Sequence, residues 1–391
     1  MKLYFYTAIL GLGCLSLVVS AQAPATTAAP IWTVSPFDRS KIDFSKEPFW
    51  AWGVEHAPAP NEKQAVQGAP GAAVAAPPSA EELARERRVE GSTRVFTLQD
   101  IRGKVVDWFP GDHPNPIPDV VRIGGPAALG QNGRACGTCH LADGSGRPEN
   151  ASPAGLPAAY IARQLMDFRA GRRHSSDARK ANTNTMIMLA KAMSDTEMQQ
   201  AANYFSAVKW RPHVTVVETA LVPATRIQGE LFIPTARKLT EPIGNRIIEV
   251  PTDTEVNQLL RSARGTWIAY VPVGSIKKGE ALVTTGDASI VNNQIVLGTR
   301  AACTTCHGPD LMGVAPDIPP LAGRSPSYLA REIFDIQQGA RAGSHPMISL
   351  MKRTVEKLTA DDIINITAYL ASRPVPIQPA PVPRDLTLTR R

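Results

Sequence analysis

Two five-residue segments constrain this chain more than any other feature: Cys136-Gly-Thr-Cys139-His140 and Cys303-Thr-Thr-Cys306-His307. Of five cysteines in 391 residues, only Cys14 lies outside them. Four thiols in an exported chain are open to pairing as two disulfides. Zinc held by Cys₄ or Cys₂His₂ ligation is a second option. Zinc sites, however, usually place the second ligand pair a loop away, whereas each histidine here abuts its cysteine. The pattern C-x-x-C-H is instead that of haem c attachment. Its two-residue spacer matches the separation of the two haem vinyl groups, to which the thiols add. The adjacent histidine reaches the iron from the same side. Two copies predict two covalently bound haem c groups, on Cys136 with Cys139 and on Cys303 with Cys306, with His140 and His307 as iron ligands.

The fifth cysteine belongs to the N-terminal segment. Met1-Lys2 leads into an apolar run to Val19 and then Ser20-Ala21-Gln22-Ala23. That order is a secretory signal, residues 1–21, cut after Ala21 because a cut after Ala23 would face Pro24. A lipid-modified Cys14 fits poorly with the preceding Gly11-Leu12-Gly13. The chain is thus expected in the periplasm, and an uncleaved segment would give membrane association through the N-terminus. No later segment reaches the roughly 18 apolar residues of a spanning helix.

The doubled motif sits in a doubled frame. Tyr160, Arg163, Asp167, Gly171 and Arg173 recur as Tyr328, Arg331, Asp335, Gly339 and Arg341, all at an offset of 168. Ile161, Leu165 and Phe168 fall at helical spacing. A closing helix follows in each copy, opened by Ser194-Asp-Thr-Glu197, a capping-box pattern, and by the weaker Thr359-Ala-Asp-Asp362. Ile363, Ile366 and Leu370 give the second of these a buried stripe.

The caps also supply a register for the distal iron ligand, where a thioether raises the reduction potential. Eight residues before them stand Met186 and Met351, at the offset of 165 that also relates Tyr204 to Tyr369. Met188 and Met347 have no partner at that offset. Met166, Met193 and Met198 lie on helix faces, where methionine is ordinary core filling. His56, His113, His174, His213 and His345 read as solvated loop side chains. The carbonyls of Pro153 and Pro320 are candidate acceptors for the second ring N–H of the ligand histidines. Arg173 and Arg341 are either haem-propionate partners or exposed helix-end charges.

On these residues the chain resembles a tandem class I cytochrome c, similar to the periplasmic diheme cytochrome c₄-like group, over roughly 120–210 and 275–373. Asp107-Trp-Phe-Pro-Gly-Asp-His113-Pro and Leu156-Pro-Ala-Ala-Tyr160 also look like a larger exported diheme subfamily. The resemblance implies two haem domains facing each other across a pseudo-twofold interface and passing single electrons.

The predicted fold is mainly α, two such domains in tandem with a small β-rich insert and an irregular N-terminal extension. The boundaries are 1–21 signal, 22–92 extension and Ala/Pro linker, 93–210 first haem domain, 211–274 insert, 275–373 second haem domain and 374–391 proline-rich tail. Val214-Thr-Val-Val217, Arg246-Ile-Ile-Glu-Val250 and Trp267-Ile-Ala-Tyr-Val271 are β-branched and aromatic runs that predict short strands. The insert is expected beside the second haem domain. Lys278–Leu282 resembles the usual first helix of a unit, and 284–293 reads as an inserted loop or hairpin. Ser79-Ala-Glu-Glu82 opens a short charged helix. Trp32, Phe49, Trp50 and Trp52 form an aromatic cluster on the extension.

A 43% hydrophobic share supplies material for real cores, while 34 prolines argue against a compact helical bundle. The charge of +7 falls to about +2 once Lys2 and four propionates are subtracted, so nucleic acid drops out as a partner. The expected role is electron carriage between redox proteins: a dehydrogenase or quinol-oxidising complex as donor and a terminal oxidase or similar acceptor. The chain would act free or as the cytochrome subunit of a dehydrogenase, and not as an enzyme itself. The alternative is a diheme peroxidase, which needs one haem with an open position; methionines at matched registers argue against it.

Overall fold

The computed structural model describes residues 78–177, 180–286, 289–291, 294–296 and 300–375. The signal, Cys14, the tryptophan-rich segment with His56, most of the Ala/Pro linker and the chain from 376 lie outside the described residues. The described chain opens with helix α1 (Ala80–Ala84), capped by Ser79 as its sequence predicts. A two-residue pairing of β1 (Glu86–Arg87) with β2 (Phe96–Thr97) leads into α2 (Leu98–Gly103).

Two helical units follow the repeat. In the first, α3 (Asp119–Arg122) precedes the Cys-Cys-His turn α4 (Gly137–His140), then come α5 (Ala158–Arg169), α6 (Ala181–Ala192) and α7 (Asp195–Ala207). The second has α8 (Ser275–Thr285), α9 (Cys303–His307), α10 (Pro326–Gln338), α11 (Met347–Val355) and α12 (Ala360–Ser372). Both closing helices carry full capping boxes, Ser194 with Glu197 and Thr359 with Asp362. The aspartate version is therefore as complete as the glutamate one.

The predicted stripes are the cores. Ile161, Leu165 and Phe168 of α5 pack with Met198, Tyr204 and Phe205 of α7. Ile363, Ile366 and Leu370 of α12 pack with Ile333 and Phe334 of α10. Each such side chain contributes about 1.5–3 kcal/mol on burial. Met166, by contrast, is 45% exposed and fills no core. In the second unit α8 crosses α12 with backbones touching: a Cβ at Gly279 would fall 1.9 Å from the Asn365 carbonyl oxygen. Only glycine permits that approach.

The insert forms two sheets. β3 (Val214–Glu218), β7 (Trp267–Val271) and β6 (Ile248–Pro251) pair in the order β3-β7-β6, with β3 parallel and β6 antiparallel to β7. These are the three predicted runs. A long hairpin of β4 (Leu221–Gln228) and β5 (Leu231–Pro242) has no counterpart in the sequence reading. Pro223, Pro234 and Pro242 mask its alternation, and its signal is the turn Gly229-Glu230, both at positive φ. A further short hairpin, β8 (Ser289–Val291) with β9 (Gln294–Val296), stands where the insertion before Cys303 was expected.

Val216, Ile247 and Val271 enter the core of the second unit, as anticipated. The insert holds the first unit as well. Trp108 Nε1 donates to the Leu260 carbonyl at 2.7 Å, Arg264 grips Asp112 at 2.7 and 2.9 Å, and Arg147 donates to Gln258 at 2.9 Å. It is a brace between the two units.

Candidate haem clefts

Each Cys-Cys-His segment is a single helical turn. His140 N donates to the Cys136 carbonyl at 2.9 Å, so both thiols and the imidazole emerge from one turn into one cleft. The first cleft, about 1340 Å³ out to its mouth, is walled by Cys136, Cys139, His140, Phe168 and Met186. The second, about 1610 Å³, is walled by Cys303, Cys306, His307, Met347 and Met351. Cys136, Cys139, Cys303 and Cys306 are all unbridged. Among the described residues no three His, Cys, Asp or Glu side chains converge as a metal site.

The donor chemistry fits haem c. Burial pushes the Cys136 thiol up to about 12 and the Cys303 thiol to about 11, so both are neutral thiols at pH 7. Burial pushes both ligand histidines down, and this outweighs the carbonyls beside them. His140 Nδ1 donates to the Ala151 carbonyl at 2.8 Å and His307 Nδ1 to the Pro319 carbonyl at 2.9 Å. That fixes the Nδ1–H tautomer in each ring and leaves the Nε2 lone pair for iron.

The acceptors differ from those expected. Pro153 and Pro320 line their clefts, but their carbonyls serve Leu156 N at 3.2 Å and Arg324 Nε at 3.1 Å. Ala151 and Pro319 take the histidines instead, and these two obey the 168-residue offset that Pro153 and Pro320 miss by one.

Met186 sits on α6 in the wall of the first cleft, and Met188 does not line it. Met347 and Met351 both line the second cleft from α11. The two capping boxes, 165 residues apart, keep Met351 in register with Met186.

Arg173 and Arg341 are not exposed helix-end charges. They lie at the seam between the units, where Arg173 donates to Glu332 at 2.7 Å and Arg341 to the same carboxylate at 2.5 Å. Each lines its own cleft, Arg173 the first and Arg341 the second. The backbones also meet here: His174 N donates to Ala340 O and Ala342 N to Arg172 O, both at 3.0 Å. Aspartates are exchanged across the same seam. Ser176 N and Oγ donate to Asp335 at 2.8 and 2.6 Å, and Ser344 N to Asp167 at 3.2 Å. Equivalent residues thus swap partners, the signature of a pseudo-twofold axis. Glu332 and its counterpart Gln164 both face both clefts. They were legible only as a break in the repeat, charged in one copy and neutral in the other.

Two of the remaining histidines are not solvated. His113 is buried and bonds Asp107 at 3.1 Å; His213 is buried with its ring edge on Trp210. The rings of His113 and Tyr204 stand 6.0 Å apart.

The cytochrome c family profile matches residues 127–209 and 291–374. The chain is 26% identical over 249 residues to a thiosulfate dehydrogenase electron acceptor of Stutzerimonas stutzeri, covering 63% of this chain and 80% of that one. It is 38% identical over 88 residues to cytochrome c-554(548) of Halomonas halodenitrificans, covering 22% of this chain and 98% of that one. A solved thiosulfate dehydrogenase (TsdBA) from Marichromatium purpuratum is 28% identical with a TM-score of 0.41, covering 66% of this chain. This chain spans 39% of that one.

Proposed function

The chain belongs to the cytochrome c family, with two such domains in tandem, and from that premise we propose that it relays single electrons in the periplasm from a dehydrogenase to an acceptor protein. It carries two covalently bound haem c groups. Each haem iron, when bound, stores one electron by cycling between ferric and ferrous states.

The chain's own residues do the rest. Cys136 with Cys139 and Cys303 with Cys306 hold the groups covalently. His140 and His307 present oriented, neutral imidazoles, and Met186 and Met351 would supply the other iron ligand of each group. A thioether paired with a histidine would favour the reduced state and leave no iron position for substrate, which suits a carrier. Arg173 and Arg341, in the cleft walls, are placed to meet propionates. Partner encounters are brief and electrostatically steered, as suits redox exchange.

One observation carries this reading: both clefts hold the same Cys-Cys-His turn and a methionine at the same register. The relative named as an electron acceptor of thiosulfate dehydrogenase supports a dehydrogenase as donor. A pyridine haemochrome assay should find two haems per chain, and the oxidised protein two methionine–iron charge-transfer bands. Mixing with a thiosulfate dehydrogenase and thiosulfate should reduce it. A high-spin haem that turns over peroxide would overturn the proposal.

A further inference from the structure

The repeat breaks most sharply at one buried position. Leu156 of the first unit is replaced by Arg324 at the 168-residue offset. Arg324 is 2% exposed, and burial pulls it down to about 10, so it stays cationic at neutral pH.

All three of its hydrogen bonds go to backbone carbonyls rather than to a carboxylate. Nη1 donates to Ser152 O at 2.5 Å, Nη2 to Ala154 O at 3.2 Å, and Nε to Pro320 O at 3.1 Å. The guanidinium also stacks on Trp210, 4.5 Å from the ring centroid, and lines the second cleft. Ser152 directly follows Ala151, which takes the His140 proton donor, and Pro320 directly follows Pro319, which takes that of His307. One side chain therefore grips both histidine-orienting loops, one in each unit.

We propose that Arg324 is a positioning residue that makes the two haem sites unequal: it fastens the loops behind His140 and His307 together, and its charge favours the ferrous state of the second haem. The physical reason is that oxidation adds a positive charge at iron, which a nearby buried cation opposes. In a dry interior that opposition is little screened. Among the described residues no carboxylate touches Arg324 to cancel it, and the first unit has only Leu156 at the equivalent place. The guanidinium fork suits three carbonyls at fixed angles, which a lysine ammonium could not hold together.

The inference rests on both clefts holding haem, and haem content measured on every variant keeps a failure of that premise apart. The test is spectroelectrochemical titration of the full-length holoprotein, with the second haem's wave identified by its further fall in Met351→His. Arg324→Leu, which copies the first unit, should weaken reduction of the second haem at least tenfold, about 59 mV for one electron. The first haem should move less. Arg324→Lys, which keeps the charge, should hold the second wave within threefold of wild type. It should nevertheless shift the hyperfine-shifted NMR signals of the His140 ring, because the clasp is lost. Arg353→Leu, an exposed charge on the same unit, should leave both waves in place. An Arg324→Leu protein with both haems and both waves unmoved overturns the proposal. So does an Arg324→Lys wave that falls tenfold or more, and that comparison stands even if Arg324→Leu fails to mature.

Discussion

Arg173 of the first haem unit donates to Glu332 of the second at 2.7 Å, and Arg341 closes on the same carboxylate from the other side. One acid thus pairs with two cations where the units meet. Burial alone would raise the Glu332 carboxyl, but Arg173 and Arg341 outweigh it and hold it below the ordinary carboxylate range. Glu332→Gln leaves two buried guanidinium groups facing a neutral amide, and should cost about 3 kcal/mol in denaturant unfolding. A carboxylate held low stabilises above its unfolded value near 4.5 and loses that contribution as pH falls through the lower folded value. The variant's deficit should therefore be present at pH 7 and shrink in acid. A deficit that does not change with pH would remove the ion pair as its cause.

Asp335, three residues on, has the opposite sign. Burial pushes it up to about 6 from 3.8, more than its bonds from Ser176 bring it down. A raised carboxyl contributes stability below 3.8 and loses it as pH rises towards 6. Asp335→Asn keeps the acceptor for Ser176 and removes the buried charge. It should gain about 1–3 kcal/mol at pH 7 and flatten the stability slope between pH 4 and 6. Unfolding curves at four pH values in that range test this; an unaltered slope would show that Asp335 ionises without penalty.

The distal ligands are separable by colour. Met186→Ala and Met351→Ala should each abolish one of the two methionine–iron charge-transfer bands, while Met188→Ala and Met347→Ala leave both. Since Met347 and Met351 both line the second cleft, loss of a band in Met347→Ala would shift the assignment by one helical turn.

The hairpin tip of the insert latches the methionine-bearing helix of the first unit. Glu230, at positive φ in the β4–β5 turn, pairs with Lys180, the buried residue that opens α6. Burial pulls Lys180 down, more than Glu230 raises it, so removal of the acid leaves an amine whose charged form burial already disfavours. Glu230→Ala should therefore lower the opening free energy of α6 by only about 2 kcal/mol. Amide hydrogen exchange across 181–192 reads this directly. Protection equal to wild type would mean the hairpin bears no load there.

The haem motifs, helix stripes, caps and methionine register were all readable because each depends on near neighbours in the chain. A Cys-x-x-Cys-His turn needs only its own five residues, and Thr359 meets Asp362 whatever surrounds them. The β4–β5 hairpin was hidden because its strands are judged against a partner strand, with prolines tolerated at its edges. The burial of His113 was hidden for a similar reason, since its ring packs beside Tyr204, far away in sequence.

The sequence by itself determined that two haems are held, in two copies of one helical plan. Only the tertiary structure decided which carbonyls orient the histidines, and that Arg173 and Arg341 converge on Glu332. It likewise showed that Arg324 ties Ser152 and Ala154 to Pro320. Covalent spacing and helical periodicity are local geometry, written in consecutive residues. A buried charge acts through whatever folds against it, and residues 159 or more positions apart become neighbours only when the two units close.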